Sequence, residues 1–204
     1  MILEGIVTTL SPDGLLNIAP MGPSVESGPG LEFARFALRP FRSSITYRNL
    51  KESGEGVLHV TDDVLLLAQT AIGSAVDPIP ESRPADAVRG RILLDACRYY
   101  EFRVLSMDDA GDRATFQVES IARGQLRDFF GFNRAKHAVV EAAILATRVG
   151  LIPAHTIQEE FRKLQVLVDK TGGAAEHAAF SLLKRFLDDA AARPKAAEPE
   201  LPKS

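Results

Sequence analysis

Hydrophobic residues in the first two thirds of the chain follow the short spacing that is typical of strands. The runs EGIVTTL and LLNIAPMG flank the turn sequence SPDG and predict a β-hairpin. Further strands are predicted in LEFARFALRP, in GEGVLHVTDD and in two long runs, RILLDACRYYEFRVLSMDD and DRATFQVESIARGQL, which a DDAGD turn joins. Short helices are predicted in SITYRNLKES and DVLLLAQTAIG, whereas AVDPIPESRPADAV contains too many prolines for regular structure. This pattern predicts a barrel-like sheet with short helices between its strands.

The spacing of apolar residues becomes helical from residue 133 onward. Three amphipathic helices are predicted, in NRAKHAVVEAAILATRVG, TIQEEFRKLQVLVDKTGG and GAAEHAAFSLLKRFLDDAA. We therefore predict a mainly β (α+β) fold, with a split-barrel domain over residues 1–128 and a helical part over 129–190. The helical part is expected to dock on the barrel, because three helices alone bury little apolar surface. Residues 191–204 are rich in Pro, Ala, Lys and Glu and are predicted to be a disordered tail.

Charge and composition exclude several classes of function. The net charge of −3 provides no broad positive field for nucleic acid or an anionic membrane. No apolar run is long enough to span a bilayer, and the first residues lack the features of a signal peptide. The single cysteine, Cys97, is predicted to lie in the core and fits a reducing cytoplasm. Metal-ligand spacings and the glycine-rich P-loop and dinucleotide motifs are absent from the sequence, so no metal site is expected.

The segment RPFRSSITYRNL concentrates cations and hydroxyl groups at a predicted helix start. Arg39, Arg42, Ser43, Ser44 and Thr46 offer the guanidinium and hydroxyl donors that bind a phosphate. The helix N-terminus adds its positive dipole end and its free N–H groups. The alternative is a capped surface helix with solvated arginines, and these residues alone do not decide between the two.

The sequence NIAPMGP ends a predicted strand at a glycine. Gly22 has no side chain, so the backbone there can approach a neighbouring group closely. That neighbour is a ligand in one interpretation, and an ordinary end-of-strand turn is the simpler interpretation.

The sequence GFNRAKH predicts a helix capped by Asn133 with cations in its first turn. Arg134 and His137 share a helical face with Glu141 and Arg148. Positive charge in a first turn opposes the helix dipole and calls for an acidic neighbour or a bound anion. The alternative is a solvated polar face, which we favour for Arg148 and not for Arg134.

The order of these segments resembles that of a known flavoprotein fold. Arg42, Ser44, Thr46 and Asn49 match the pattern R-x-S-x-T-x-x-N of the flavin reductase-like FMN-binding split barrels, and the resemblance covers residues 1–125. MILEGIVTT, NIAPMGP, RPFRSSITYRNL, LHVTDD and GFNRAKHAVVEAAILATR resemble, over nearly the whole chain, the prokaryotic family numbered 447 among domains of unknown function.

The resemblance implies FMN bound non-covalently at the interface of a homodimer. Its phosphate would contact Arg42, Ser44 and Thr46, with Asn49 supporting the loop, and the strand at 17–22 would run beside the isoalloxazine. Whether Arg134 and His137 reach the flavin stays open, and no catalytic residue is assigned. The candidate cofactor-binding residues are Asn17, Ala19, Met21, Gly22, Arg39, Arg42, Ser43, Ser44, Thr46, Asn49, Arg134 and His137.

The function that this resemblance implies is that of an FMN-dependent oxidoreductase of unknown substrate. Its reductant would be NAD(P)H or another small molecule, and neither nucleic acid nor a membrane is an expected partner. Two alternatives remain: a flavin carrier or sensor without turnover, and a protein-interaction module without a flavin.

Overall fold

The computed structural model of the chain describes residues 1–25 and 33–192. The described strands are β1 (Gly5–Leu10), β2 (Leu16–Met21), β3 (Ser24–Val25), β4 (Arg35–Leu38), β5 (Glu55–Val60), β6 (Ser82–Pro84), β7 (Arg91–Leu93), β8 (Arg98–Asp108) and β9 (Thr115–Gln125). The described helices are α1 (Ile45–Ser53), α2 (Val64–Ala71), α3 (Arg134–Ala146), α4 (Ala154–Thr171) and α5 (Ala174–Ala192).

Seven of the strands form one antiparallel sheet in the order β2-β1-β5-β8-β9-β4-β3. The residues just before β1 pair with β3, since the N–H of Leu3 donates to the Pro23 carbonyl (3.2 Å) and the N–H of Val25 to that of Met1 (2.9 Å). The sheet therefore curls back on itself as a half-barrel. The predicted mainly β (α+β) fold with a split barrel is confirmed.

Two apolar cores lie on either side of this curled sheet. The barrel core contains Phe36, Leu58, Phe102 and Phe116, which are all buried. The second core joins α2 to α3, α4 and α5 and also includes Ile6 of β1. Because strand residues alternate between the two faces of a sheet, β1 contributes Val7 to one core and Ile6 to the other. The helices are thereby packed against the barrel.

The predicted hairpin of β1 and β2 and the three C-terminal helices are confirmed. The prediction that the proline-rich segment has no regular structure was wrong. Ser82–Pro84 forms β6, which pairs with β7 in a separate two-stranded sheet. The proline ends that strand, where its missing N–H removes no ladder hydrogen bond. The long run from residue 91 is also two strands, because a turn at residues 94–97 separates β7 from β8.

Two predictions reach beyond the described residues. The loop predicted in GPSVESGPG lies mostly outside them, although Ser24–Val25 forms the short strand β3 and not a loop. Helix α5 runs to Ala192, and residues 193–204 of the predicted disordered tail are outside the described ranges.

Candidate functional site

The hydroxyl of Ser44 caps helix α1. Its Oγ accepts the N–H of Tyr47 (3.1 Å) and donates to the Phe41 carbonyl (2.7 Å), so Ser44, and not Ser43, is the N-cap. Arg42 and Ser43 stand immediately before this cap with exposed side chains. The helix start therefore presents a guanidinium and a hydroxyl group to solvent beside its N-terminus.

Two further arginines, Arg39 and Arg113, lie near Phe41. Arg39 is exposed, and its carbonyl accepts a hydrogen bond from Nη1 of Arg113 (3.3 Å). The guanidinium of Arg113 lies 3.7 Å from the centroid of the Phe41 ring, a cation–π contact. The sequence prediction missed Arg113 because it comes from the β8–β9 turn, far along the chain. Hydrogen bonds from Tyr47 and Lys51, and then the charges of Lys51 and Arg42, lower the pKa of the nearby Asp109, so this surface carries charges of both signs.

A buried polar network joins α1 to the β1–β2 hairpin. Nδ2 of Asn17 donates to Oγ1 of Thr46 (3.0 Å) and to Oγ1 of Thr9 (3.2 Å). Nδ2 of Asn49 donates to the same Thr9 oxygen (3.0 Å). Thr46 and Asn49 are only 2% and 4% exposed, so they lie beneath the surface that carries Arg42. The network brings the predicted residues of α1 and β2 together.

Strand β2 lies at one edge of the large sheet and is half-buried along its whole length. Asn17, Ala19 and Met21 alternate with Ile18, which packs on the helical core, so these three share the opposite face. At the end of the strand, a Cβ on Gly22 would meet Cγ2 of Ile2 at 2.9 Å. The close approach expected at Gly22 is therefore to the start of the chain itself.

Of the two candidates on α3, His137 lies near the end of β2 that is opposite Arg42. Asn133 caps α3 as predicted, accepting the N–H groups of Ala135 (2.9 Å) and Lys136 (3.1 Å). His137 is exposed, and it lines a pocket together with Ile2, the contact of Gly22. Arg134 is also exposed but does not line that pocket. The strand spans about 17 Å from Asn17 to Gly22, so His137 and Arg42 lie at well-separated ends of it.

The sequence prediction missed an ionic cluster at the start of α3. Nζ of Lys136 pairs with Oε1 of Glu176 (2.9 Å) and donates to the Asp62 carbonyl (2.8 Å). The Asp62 carboxylate binds Arg127 through two hydrogen bonds (2.6 and 3.2 Å) and accepts the N–H of Phe130 (2.8 Å). The Arg127 hydrogen bonds hold the pKa of Asp62 below its usual value. The acidic neighbour expected for a first-turn cation is thus found at Lys136, and not at Arg134.

His59 and Cys97 are structural residues. His59 is fully buried, and its Nε2 accepts the N–H of Leu93 (3.0 Å). Burial lowers the pKa of His59 from 6.5 to about 4, so the ring is neutral near pH 7. Cys97 is buried as predicted, and burial raises the pKa of its thiol.

Two searches of the described part of the chain gave negative results. Residues 1–25 and 33–192 contain no group of three or more His, Cys, Asp or Glu that could hold a metal ion. Among the helices in these ranges, none is long and apolar enough to cross a membrane.

The fold is shared with solved flavoprotein structures. An FMN-bound protein from Methanosarcina mazei, MM1853, matches with a TM-score of 0.75 and 24% identity, over 91% of this chain and 94% of that one. The 2-nitrobenzoate 2-nitroreductase NbaA of Pseudomonas fluorescens matches with a TM-score of 0.51 and 19% identity, over 60% of this chain and 64% of that one. Flavoredoxin from Methanosarcina acetivorans matches with a TM-score of 0.50 and 14% identity, over 61% of this chain and 68% of that one.

Sequence comparison assigns the family. A search of curated proteins found no match. Residues 3–127 match the N-terminal domain of the protein family of unknown function DUF447, and residues 133–185 match the second DUF447 domain. These matches cover most of the chain and confirm the resemblance noted in the sequence, and the chain therefore belongs to the DUF447 family.

Proposed function

We propose that this protein is a cytoplasmic, homodimeric oxidoreductase that binds FMN non-covalently along strand β2. The observation that carries the proposal is the hydrogen bond between Asn17 and Thr46, which joins β2 to the N-terminus of α1. A phosphate at that N-terminus and a flavin ring beside the strand would thus be parts of one continuous site.

The donors at the start of α1 fit a phosphate monoester. Among the described residues, the backbone N–H groups of Ile45 and Thr46 have no hydrogen-bond acceptor. Free N–H groups at a helix N-terminus form an anion site, and the macrodipole favours negative charge there. Arg42 adds a guanidinium that can bind a phosphate through two hydrogen bonds, and Ser43 adds a hydroxyl donor. These groups would hold the phosphate, while the hydroxyl of Ser44 stays in its capping role.

Strand β2 would hold the ring system. As an edge strand, it leaves one row of backbone N–H and carbonyl groups without partners in the described sheet. Ala19 and Met21 lie on the face that the network at Asn17 shares. When bound, FMN would supply the redox chemistry, and the chain would fix its position and electronic environment. Arg134 does not line the pocket beside the end of β2, and the proposal gives it no role in this site.

The related structures support this assignment. MM1853, which has the same fold over nearly its whole length and is also a DUF447 protein, was crystallised with FMN. NbaA is a nitroreductase and the Methanosarcina acetivorans protein is a flavoredoxin, by their names. A shared fold supports the same cofactor class here, whereas the substrate depends on residues that the fold does not determine.

The first test of FMN binding is the absorption spectrum of the purified protein, with mass spectrometry of the ligand released on denaturation. Arg42→Ala removes the phosphate-binding guanidinium and should weaken FMN binding by about 1.5–3 kcal/mol, or roughly 10- to 150-fold. Arg48→Ala is the matched control, because Arg48 is also exposed on α1 but lies more than a turn beyond the cap. Equal FMN affinities of the two variants, or a protein that quenches no flavin fluorescence, would refute the proposal.

Turnover and assembly need separate measurements. Oxidation of NADH or NADPH by the FMN-loaded protein, followed at 340 nm by its absorbance, supports an oxidoreductase. If neither nucleotide is oxidised, in air or with an added electron acceptor, the protein is a carrier or sensor without turnover. Sedimentation velocity of the loaded protein tests the homodimer directly, since a single monomeric species would refute it.

A further inference from the structure

The pocket that Ile2 and His137 line lies between the first residues of the chain, the end of β5 and helix α3. Its volume is about 410 Å³, which is the size of a small-molecule site. Much of its wall is apolar, contributed by the side chains of Ile2, Leu3, Val60, Val64 and Val140. The pocket contacts none of the residues at the start of α1, so it is distinct from the proposed phosphate site.

Most charges around this pocket are already neutralised by neighbouring groups. Lys136 pairs with Glu176, and Asp62 is bound by Arg127. Glu4 and Glu141 also line the pocket, but no ion pair or side-chain hydrogen bond reaches either carboxylate in the described residues. Partial burial and then the charge of Glu141 raise the pKa of Glu4, which fits two carboxylates at one rim. The pocket therefore carries uncompensated negative charge.

One aromatic ring, that of Phe129, completes the rim on the side of the segment 129–132. Phe129 lines the pocket and is half-exposed, at 50%. The next residue, Phe130, does not line the pocket, and its ring contacts the ammonium of Lys136, with Nζ 5.6 Å from the ring centroid. The hydrogen bond from the N–H of Phe130 to Asp62 holds the segment in place.

We propose that this pocket binds a small organic cation, a protonated amine attached to an apolar or aromatic body. The apolar wall would take the body of the ligand, while Glu4, Glu141 and the ring of Phe129 would attract its charge. An anionic ligand is disfavoured, because Lys136, the basic group in the wall, is already paired. Ile2 lines the pocket and also contacts Gly22 at the end of β2, so the ligand would lie near the flavin if FMN binds as proposed. Binding of this ligand does not itself require FMN.

Three probes of similar shape and different charge test this inference on the full chain. Benzylamine, benzyl alcohol and benzoate are titrated into ¹⁵N-labelled protein, with and without FMN, and amide shifts are followed by NMR. We expect benzylamine to shift Gly131, His137 and Glu141 in a saturable way, benzyl alcohol to bind several-fold more weakly, and benzoate to bind least. Because exposed carboxylates are screened, the preference for benzylamine should shrink as salt is raised.

A charge-removal variant gives the decisive comparison. Glu4→Gln with Glu141→Gln should weaken benzylamine binding roughly fivefold and leave benzyl alcohol unchanged. The control, Glu159→Gln with Glu160→Gln, removes the same charge from the exposed surface of α4 and should change neither.

Three results would overturn the inference. One is equal affinity for the three probes, and another is equal benzylamine affinity in the two double variants. The third is shifts of the pocket resonances with protein concentration alone, which would assign the pocket to contacts between copies of the chain. A protein that binds no FMN but prefers benzylamine would refute only the proposed function, whereas the reverse result would refute only this inference.

Discussion

The ion pair of Lys136 and Glu176 joins the beginning of α3 to the beginning of α5. The side chains of Lys136 and Glu176 are only 17% and 8% exposed. Burial alone would raise the pKa of Glu176, but hydrogen bonds from Lys136 and from the N–H of Gly173 outweigh it and hold the pKa below its usual value. Lys136→Met keeps most of the volume and removes the charge, so the Glu176 carboxylate is left buried with the Gly173 N–H as its partner.

The expected loss follows from that burial. Removing one partner of a buried ion pair costs on the order of 3 kcal/mol, because the remaining charge is desolvated without compensation. The helix dipole acts in the opposite direction, because a cation in the first turn destabilises the helix by about 0.3–1 kcal/mol. A net destabilisation of about 2–3 kcal/mol is therefore expected for Lys136→Met.

Urea unfolding followed by circular dichroism measures this loss. Lys163→Met is the matched control. Lys163 forms ion pairs with Glu159 and Glu160 on its own helix, but its side chain is 60% exposed. Its variant should lose about 0.5 kcal/mol or less. Adding Glu176→Gln to Lys136→Met should restore part of the stability, because the amide oxygen can still accept the Gly173 N–H without a buried charge. Equal losses in the two lysine variants, or no restoration in the double variant, would refute this reasoning.

Two other predictions concern buried positions of the barrel. Because burial lowers the pKa of His59 to about 4, the unfolded chain binds the proton first as the pH falls, so stability should be lost between pH 6.5 and about 4. The loss, on the order of 3 kcal/mol, should be measurable by urea unfolding at pH 7, 5.5 and 4, and the same pH slope in His59→Gln would contradict it. Gly56→Ala should destabilise by about 1–3 kcal/mol, because the new Cβ would meet Cζ of the buried Phe102 at 2.7 Å. Urea unfolding at pH 7 measures this loss. Gly111→Ala is the control and should be close to neutral, because the nearest atom to its new Cβ is the Arg113 carbonyl oxygen at 3.8 Å.

Local sequence patterns predicted only those features of the candidate site that depend on neighbouring residues. Asn133 was recognisable as a helix cap, because capping depends on residues within one turn. Arg113 left no such signal, since its contact with Phe41 crosses from one turn to another through a β-bridge. The network of Asn17, Thr9, Thr46 and Asn49 was likewise not readable as contacts, because it joins two strands and a helix.

The sequence by itself determined the kinds of elements, the half-barrel followed by helices, and the family, because periodicity and motif order are properties of neighbouring residues. It left open whether the start of α1 was a phosphate site or a solvated cap. It also predicted a charge partner for Arg134, whereas the cation that forms the ion pair at the start of α3 is Lys136. Only the tertiary structure decided the second point, by pairing Lys136 with Glu176. Ion pairs such as Asp62 with Arg127 and Lys136 with Glu176 form where packing brings distant segments together, and burial then decides which charges need a partner.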